Sequence, residues 1–288
     1  FDGFHAGHQA VVGRALARAR AEGRPALVAT FDPHPAKLFR PDAPPFALTR
    51  LDQKLDLFAG FGIDATVVIP FNAALAALTA DQFVADWLHA RIGAGVAVSG
   101  ADFTFGTKRS GNTALLAELG QGHGFAAEVV HAVSDSGGVI SSTRIREALR
   151  DGEVAAATAL LTRPYSIRGE VQHGAKLGRT LGFPTANMVL GAYLRPRSGV
   201  YAVRARLGDG SHVDGVANLG IRPMIEPVVE LLETFLFDWA GDLYGQTIDI
   251  ELVEFLRPEW KLDGLDALKA QIAVDSDNAR AALARVAR

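Results

Sequence analysis

The sequence predicts an α/β domain followed by a mainly β domain, and three observations lead there. At ~150 residues per domain, 288 residues suggest about two domains. Short β-branched runs alternate with helical patterns up to about residue 150, whereas after Asp151 strands succeed one another with Gly, Pro and Asp turns between them. A composition of 49% hydrophobic and 21% charged residues, with 30 Gly and 13 Pro, is globular and supplies apolar material for a core in each half.

In the first half, Ala26–Phe31, Ala65–Ile69, Val96–Ser99 and Phe125–Val130 read as strands. Between them fall helices, the clearest from Thr79 to about Ile92, where Thr79 and Gln82 make a capping-box pair and Phe83, Trp87 and Leu88 recur on one face. Such alternation implies a parallel sheet with ligands beyond the carboxyl ends of its strands. An alanine-rich helix, Glu153 to Leu161, leads into the second half. There Ser166–Gln172, Gly199–Leu207, His212–Asn218, Val229–Trp239 and Gln246–Phe255 read as strands, with Gly208-Asp209-Gly210 a hairpin turn. A small barrel closes such a sheet with few exposed edges. Leu265 to Val286 returns to helix.

Several function classes are excluded. The chain has no cysteine, which removes disulfides, thiolate metal sites and cysteine nucleophiles. Its 29 basic and 32 acidic residues divide evenly between the halves, so neither half is a nucleic-acid surface. No apolar run is long enough to cross a bilayer and no secretory signal opens the chain, which points to a cytoplasmic protein without membrane partners. Phe1-Asp2-Gly3 reads as the end of a strand whose earlier residues are not in the sequence.

Two constellations in the first half carry chemistry. His5-Ala6-Gly7-His8 lies between a strand end and a helix start, where backbone N–H groups and the helix dipole favour phosphate; Gly7 allows close approach. Two imidazoles three apart could stabilise charge on a transferred phosphoryl or nucleotidyl group; the alternatives are an ordinary structural pair and metal ligation, for which no third ligand of suitable spacing is visible. Ser141-Ser142-Thr143-Arg144-Ile145-Arg146 opens a helix after a small-residue loop, and its hydroxyls and guanidinium groups read either as the far side of a triphosphate site or as a cap with solvated arginines. His34, His89, His123 and His131 read as structural or surface residues.

Together with Phe31-Asp32-Pro33-His34-Pro35 and Gly100-Ala101-Asp102-Phe103-Thr104-Phe105-Gly106, these segments resemble the adenylyltransferase module of the prokaryotic bifunctional riboflavin kinase/FAD synthetase family. The resemblance implies a Rossmann-like nucleotidyltransferase domain that joins the AMP part of ATP to FMN, releasing pyrophosphate, with magnesium present. It implies that His5 and His8 stabilise the phosphates, and that Gly7, Ser142, Thr143 and Arg146 hold the ATP tail. Asp32, Asp102 and Phe105 would line the nucleotide and flavin pocket. Such a transfer needs alignment and charge neutralisation rather than a protein nucleophile.

In the second half, Gly174-Ala175-Lys176-Leu177-Gly178-Arg179-Thr180-Leu181-Gly182-Phe183-Pro184-Thr185-Ala186-Asn187 is too rich in Gly and polar residues for a core strand and reads as a loop over a ligand. Gly174, Lys176, Gly178 and Gly182 suit phosphate contact. Thr185 and Asn187 point to one side if extended and offer hard oxygens for magnesium. Alternation along Val229–Trp239 places Glu233 within an otherwise apolar face, where desolvation would make it a better base for a hydroxyl proton; Glu230, on the opposite parity, reads as solvated.

Gly182–Asn187, Ser198-Gly199-Val200-Tyr201, Gly215-Val216-Ala217-Asn218-Leu219-Gly220, and Glu233 followed by Gly241-Asp242-Leu243-Tyr244-Gly245 resemble the riboflavin kinase module of the same family. That resemblance implies a six-stranded antiparallel β-barrel with terminal helices, ATP and magnesium at Thr185 and Asn187, Glu233 as the base on the 5′-hydroxyl of riboflavin, and Asn218 and Arg222 near the flavin. The expected division is an adenylyltransferase domain over 1–151, a helical linker over 152–164 and a kinase domain over 165–288, with ATP used at two sites. Thr162, Met224 and Asn112 depart from the family pattern of glycine, threonine and an acid at those positions.

Overall fold

The computed structural model describes residues 1–173, 183–222 and 229–286. The chain forms two compact units, Phe1–Pro44 with Leu51–Ser141, and Pro45–Arg50 with Ser142–Arg288.

The first unit runs α1 (Ala6–Glu22), β1 (Leu27–Asp32), α2 (Pro35–Phe39), α3 (Leu51–Gly60), β2 (Ala65–Pro70), α4 (Ala73–Ala77), α5 (Ala80–Phe83), β3 (Val96–Gly100), α6 (Thr113–Gly122), β4 (Ala126–Val130) and a short hairpin of β5 (Ser134–Asp135) and β6 (Gly138–Val139). β1 pairs with β2 and β3 with β4, both in parallel. The strands expected from β-branched runs thus form within a residue or two of their expected bounds. Thr79 and Gln82 make the capping box, with Gln82 N–H donating to Thr79 Oγ1 at 3.2 Å and Thr79 N–H to Gln82 Oε1 at 2.9 Å; such a cap contributes about 1 kcal/mol. Beyond Phe83 the helix widens to π-winding over Val84–Arg91. Phe83 and Val84 are buried there, with Trp87 and Leu88 packed against them.

The second unit begins with α7 (Ser142–Asp151) and α8 (Val154–Leu161), and ends with α9 (Leu265–Ala284). Between them lie β7 (Tyr165–Glu170), β8 (Thr185–Val189), β9 (Gly199–Arg206), β10 (His212–Arg222), β11 (Val229–Leu236) and β12 (Thr247–Arg257). They form a six-stranded antiparallel sheet in the order β7-β12-β9-β10-β11-β8. Its two edges meet through one bridge, Gln172 N–H donating to Asn187 O at 2.8 Å, so the sheet curls toward a barrel. One face is the interior, filled by Ile167, Met188, Tyr201, Val203, Leu232, Ile250 and Leu252, each almost fully buried. The other face carries Val200, Ala202 and Val216, covered by Ala279, Ala282 and Leu283 of α9. The expected hairpin turn is present: Gly210 N–H donates to Leu207 O at 2.9 Å and Ser211 N–H to Asp209 Oδ1 at 2.9 Å.

Three stretches differ from the reading by alternation. β10, expected to end at Asn218, runs on to Arg222. Thr185–Asn187, expected as the end of a loop, belongs to the edge strand β8, because Thr185, Asn187 and Val189 alternate with the buried Ala186 and Met188, a half-apolar pattern that the glycines upstream obscure. β11 stops at Leu236, where the expected strand ran to Trp239; Asp238 has a positive φ of 53° that breaks the ladder.

Candidate functional sites

In the first unit the site is built on irregular backbone. Gly3 and Phe4 have positive φ (86° and 45°), and Phe4 is held there by burial against Phe58 and Phe61, with ring centroids 5.0 and 5.3 Å away. A non-glycine residue in that region costs about 1–3 kcal/mol and persists only when its surroundings enforce it. The turn sets His5 as the N-cap of α1, its Nδ1 accepting from His8 N–H at 3.4 Å, so the ring proton of neutral His5 sits on Nε2. His5 is buried and His8 half-buried, and their rings stack at 3.7 Å and 23°. His8 Nδ1 is buried with no partner among the described residues. Burial first, then nearby positive charge, that of Lys54 included, pushes the His8 pKa far below the ordinary imidazole range. A Cβ at Gly7 would stand 3.1 Å from the His5 ring and 3.4 Å from Ile140 O, so glycine keeps the helix start open. Imidazole N–H groups and the first-turn N–H groups of α1 make a neutral, dipole-favoured seat for phosphate.

Asp32 closes β1 and is half-buried, and its carbonyl accepts from Phe71 N–H at 3.1 Å. His34, two residues on, caps α2 by accepting from Ala36 N–H at 3.1 Å. Asp102 follows β3 and is exposed, whereas Phe105 lies in the core, 6% exposed, stacked at 5.4 Å on the half-buried Phe103. Of the phosphate residues expected after Ser141, Ser142 and Thr143 open α7 in the second unit. Arg146 donates through Nε to Phe46 O at 2.9 Å and lies over the Phe46 ring at 5.5 Å.

In the second unit the ladder itself assembles the site. Glu233 on β11 stands opposite Asn187 on β8 and opposite Asn218 on β10, so the three side chains share one face in a row across three strands. Thr185 lies two residues from Asn187 on that face, opposite Phe235. The face is not the barrel interior: the buried alternation on β11 belongs to Leu232, Thr234 and Leu236, and Glu233 is half-buried beside the part that α9 covers. Glu230 is ion-paired with Arg195 rather than simply solvated. Asn187 is buried; its Nδ2 donates to Thr185 O at 3.1 Å, and its Oδ1 is buried without a partner among the described residues. An orphaned amide oxygen beside a threonine hydroxyl fits a hard cation that keeps waters and substrate phosphate as its remaining ligands. Among the described residues no three His, Asp or Glu side chains gather as a metal site. Asn218 Nδ2 donates to Glu259 Oε1 at 3.1 Å, a partner the sequence reading missed. Arg222 ends β10 opposite Val229. Gly174, Lys176, Gly178, Gly182 and Met224 lie outside the described residues.

Residues 1–144 match the family model of FAD synthetase, and residues 161–283 match that of riboflavin kinase. A bifunctional riboflavin kinase/FMN adenylyltransferase of Escherichia coli strain K12 is 42% identical over 281 residues, covering 97% of this chain and 90% of that protein. The chain belongs to the bifunctional riboflavin kinase/FMN adenylyltransferase family. Another protein of that description, from Bacillus subtilis strain 168, is 38% identical over 97% of this chain and 89% of its own length. A solved structure from Streptococcus pneumoniae, described as a macrolide-efflux protein, superposes with a TM-score of 0.87 at 32% identity, over 97% of this chain and 91% of that one. Among the described residues here no helix is long and apolar enough to cross a membrane.

Two departures from the family pattern have a visible local setting. Thr162 caps α8 in the left-handed region (φ 61°), a conformation that suits the glycine expected there. Asn112 caps α6, accepting from Leu115 N–H at 3.0 Å through Oδ1, a task an acid would perform as well.

Proposed function

We propose that this bifunctional riboflavin kinase/FMN adenylyltransferase phosphorylates riboflavin to FMN with ATP and then adenylylates FMN with a second ATP, giving FAD and pyrophosphate in the cytoplasm. The division of labour follows the sequence: adenylyl transfer over 1–151, a linker over 152–164 and the kinase over 165–288. The observation that carries the reading is the row Asn187–Glu233–Asn218, which sets one carboxylate between amide neighbours on a sheet face.

In the kinase step Glu233 takes the 5′-hydroxyl proton as that oxygen attacks the γ-phosphorus of ATP. The bond from γ-phosphorus to its bridging oxygen breaks, and ADP leaves. Thr185 and Asn187 hold magnesium, which neutralises phosphate charge when bound; the orphaned Asn187 Oδ1 supports this placement. Gly174, Lys176, Gly178 and Gly182 are proposed along the phosphates, with Arg222 near the flavin. In the adenylyl step a phosphate oxygen of FMN attacks the α-phosphorus of ATP and the α,β-bridging bond breaks. His5 and His8 meet the developing charge with N–H groups, and Gly7, Ser142, Thr143 and Arg146 are assigned to the nucleotide tail. Asp32, Asp102 and Phe105 are assigned to the surroundings of the nucleotide and flavin.

Incubation with riboflavin, ATP and magnesium tests the reading: FMN should rise first and FAD follow. FMN and ATP alone should also give FAD; its absence at every concentration would leave a kinase only.

A further inference from the structure

The second unit holds a carboxylate that this chemistry leaves unused. After β12 the chain runs Arg257-Pro258-Glu259-Trp260, and the neighbours of Glu259 are all fastened. Arg257 pairs with Asp275 of α9 (Nε to Oδ1 2.8 Å, Nη2 to Oδ2 2.6 Å), its Nη1 donates to Pro258 O at 2.9 Å, and its guanidinium lies 4.4 Å over the Trp260 ring. This segment approaches the sheet closely at two positions that have no side chain. A Cβ at Gly199 would overlap the Arg257 carbonyl oxygen and stand 3.0 Å from Pro258 Cα, and one at Gly220 would overlap the Glu259 carboxylate. Glu259 is therefore laid over Gly220, and there it accepts from Asn218 Nδ2 at 3.1 Å.

Asn218 is the cross-strand neighbour of Glu233 on the side away from Asn187. At about 4.8 Å per strand, the row across the face is Asn187, Glu233, Asn218, and the Glu259 carboxylate lies over Gly220, two residues along β10 from Asn218. Resting on the reading of Glu233 as the base, the phosphoryl donor occupies the Asn187 and Thr185 end. The hydroxyl that is deprotonated sits at Glu233, and the rest of the acceptor must extend toward Asn218. That part of riboflavin is a polyol, whose hydroxyls are hydrogen-bond donors. Glu259 is exposed, and its second oxygen can accept from such a donor. We propose that Glu259, together with Asn218, reads the internal hydroxyls of the ribityl chain and so determines specificity for the flavin acceptor.

The test compares riboflavin with an analogue whose side chain is 5-hydroxypentyl, keeping the terminal hydroxyl and lacking the three internal ones. Wild-type enzyme should favour riboflavin. Glu259→Ala should lower kcat/KM for riboflavin about 10- to 100-fold, mainly through KM, while leaving kcat/KM for the analogue and KM for ATP unchanged. Glu259→Gln should recover part of the loss; if the alanine variant does not fold, the glutamine variant should show a smaller drop confined to riboflavin. An equal drop on both flavins would mean that Glu259 only secures its segment, and no drop on either would mean that it is idle; both overturn the proposal. If wild-type enzyme phosphorylates neither flavin, the kinase reading itself fails and takes this proposal with it, an outcome visible before any variant is made.

Discussion

The proposed sites on α1 and on β11 position their side chains by opposite means. In the first unit, position comes from local irregularity: a positive φ at Phe4, a histidine acting as N-cap, and a glycine without which the His5 ring would be crowded. In the second, it comes from regular pairing, with Asn187, Glu233 and Asn218 brought together by the register of three strands. An irregular turn can be spoiled by a methyl group. A ladder tolerates single substitutions but fails completely if it slips, since one residue of slip turns Glu233 to the barrel interior. The first arrangement therefore suits fixed N–H donors, and the second suits a carboxylate that exchanges a proton between fixed neighbours.

The sharpest way to break the comparison is to remove one site and ask whether the other survives. Glu233→Gln keeps size and ladder but removes the base, so FMN formation should fall by about 10²–10⁴ while FAD formation from supplied FMN stays at the wild-type rate. Parallel loss of both activities would show that the two sites are not separate. The converse variant, His8→Ala, should lower FAD formation by about 10²–10³ and spare the kinase, in line with the loss of one donor to developing charge. Unchanged FAD output would remove His8 from the chemistry.

A smaller effect sharpens the claim about irregular backbone. Gly7→Ala adds a Cβ 3.1 Å from the His5 imidazole, so the ring must shift by a few tenths of an ångström. FAD formation should fall roughly tenfold, short of the ~10²-fold that a full 1 Å misplacement can cost, with KM for riboflavin in the kinase reaction unchanged. A wild-type rate would mean that the His5 ring has slack and that the tight helix start is not what positions it.

The difference between the sites also decides what could be read from the sequence. The parallel pairs, the hairpin at Gly208–Gly210, the capping box at Thr79 and the terminal helix follow from periodicity and turn residues, which are local signals. The helix start at His5 is legible because the cap and the first turn lie within four residues. Strand parity correctly placed Glu233 with Leu231 and Phe235, but which face of β11 is the interior depends on how the sheet curls and on where α9 packs. Neither is written in one strand, and so the half-buried face was read as the buried one. Thr185–Asn187 escaped as part of a strand because its glycine-rich approach resembled a loop. Glu259 escaped for another reason: its partner Asn218 is 41 residues away, and the glycines that make room for it lie on two other strands.

The smallest effect concerns stability alone and falls at the end of α8 in the second unit. Thr162 occupies a left-handed C-cap at φ 61°, where a β-branched residue pays about 1–2 kcal/mol that glycine does not. Thr162→Gly removes that strain, but it loses the hydroxyl's 2.6 Å hydrogen bond to Leu161 O and adds freedom to the unfolded chain, worth about 0.4–1 kcal/mol. The strain outweighs the unfolded-state term, and the lost bond is a local one to a neighbouring carbonyl, so a net gain of up to about 1 kcal/mol is expected. Thermal unfolding should show a rise of a few degrees, with both activities unchanged at 25 °C. A lower melting temperature would show that the Thr162 hydroxyl contributes more to the end of α8 than its backbone conformation costs.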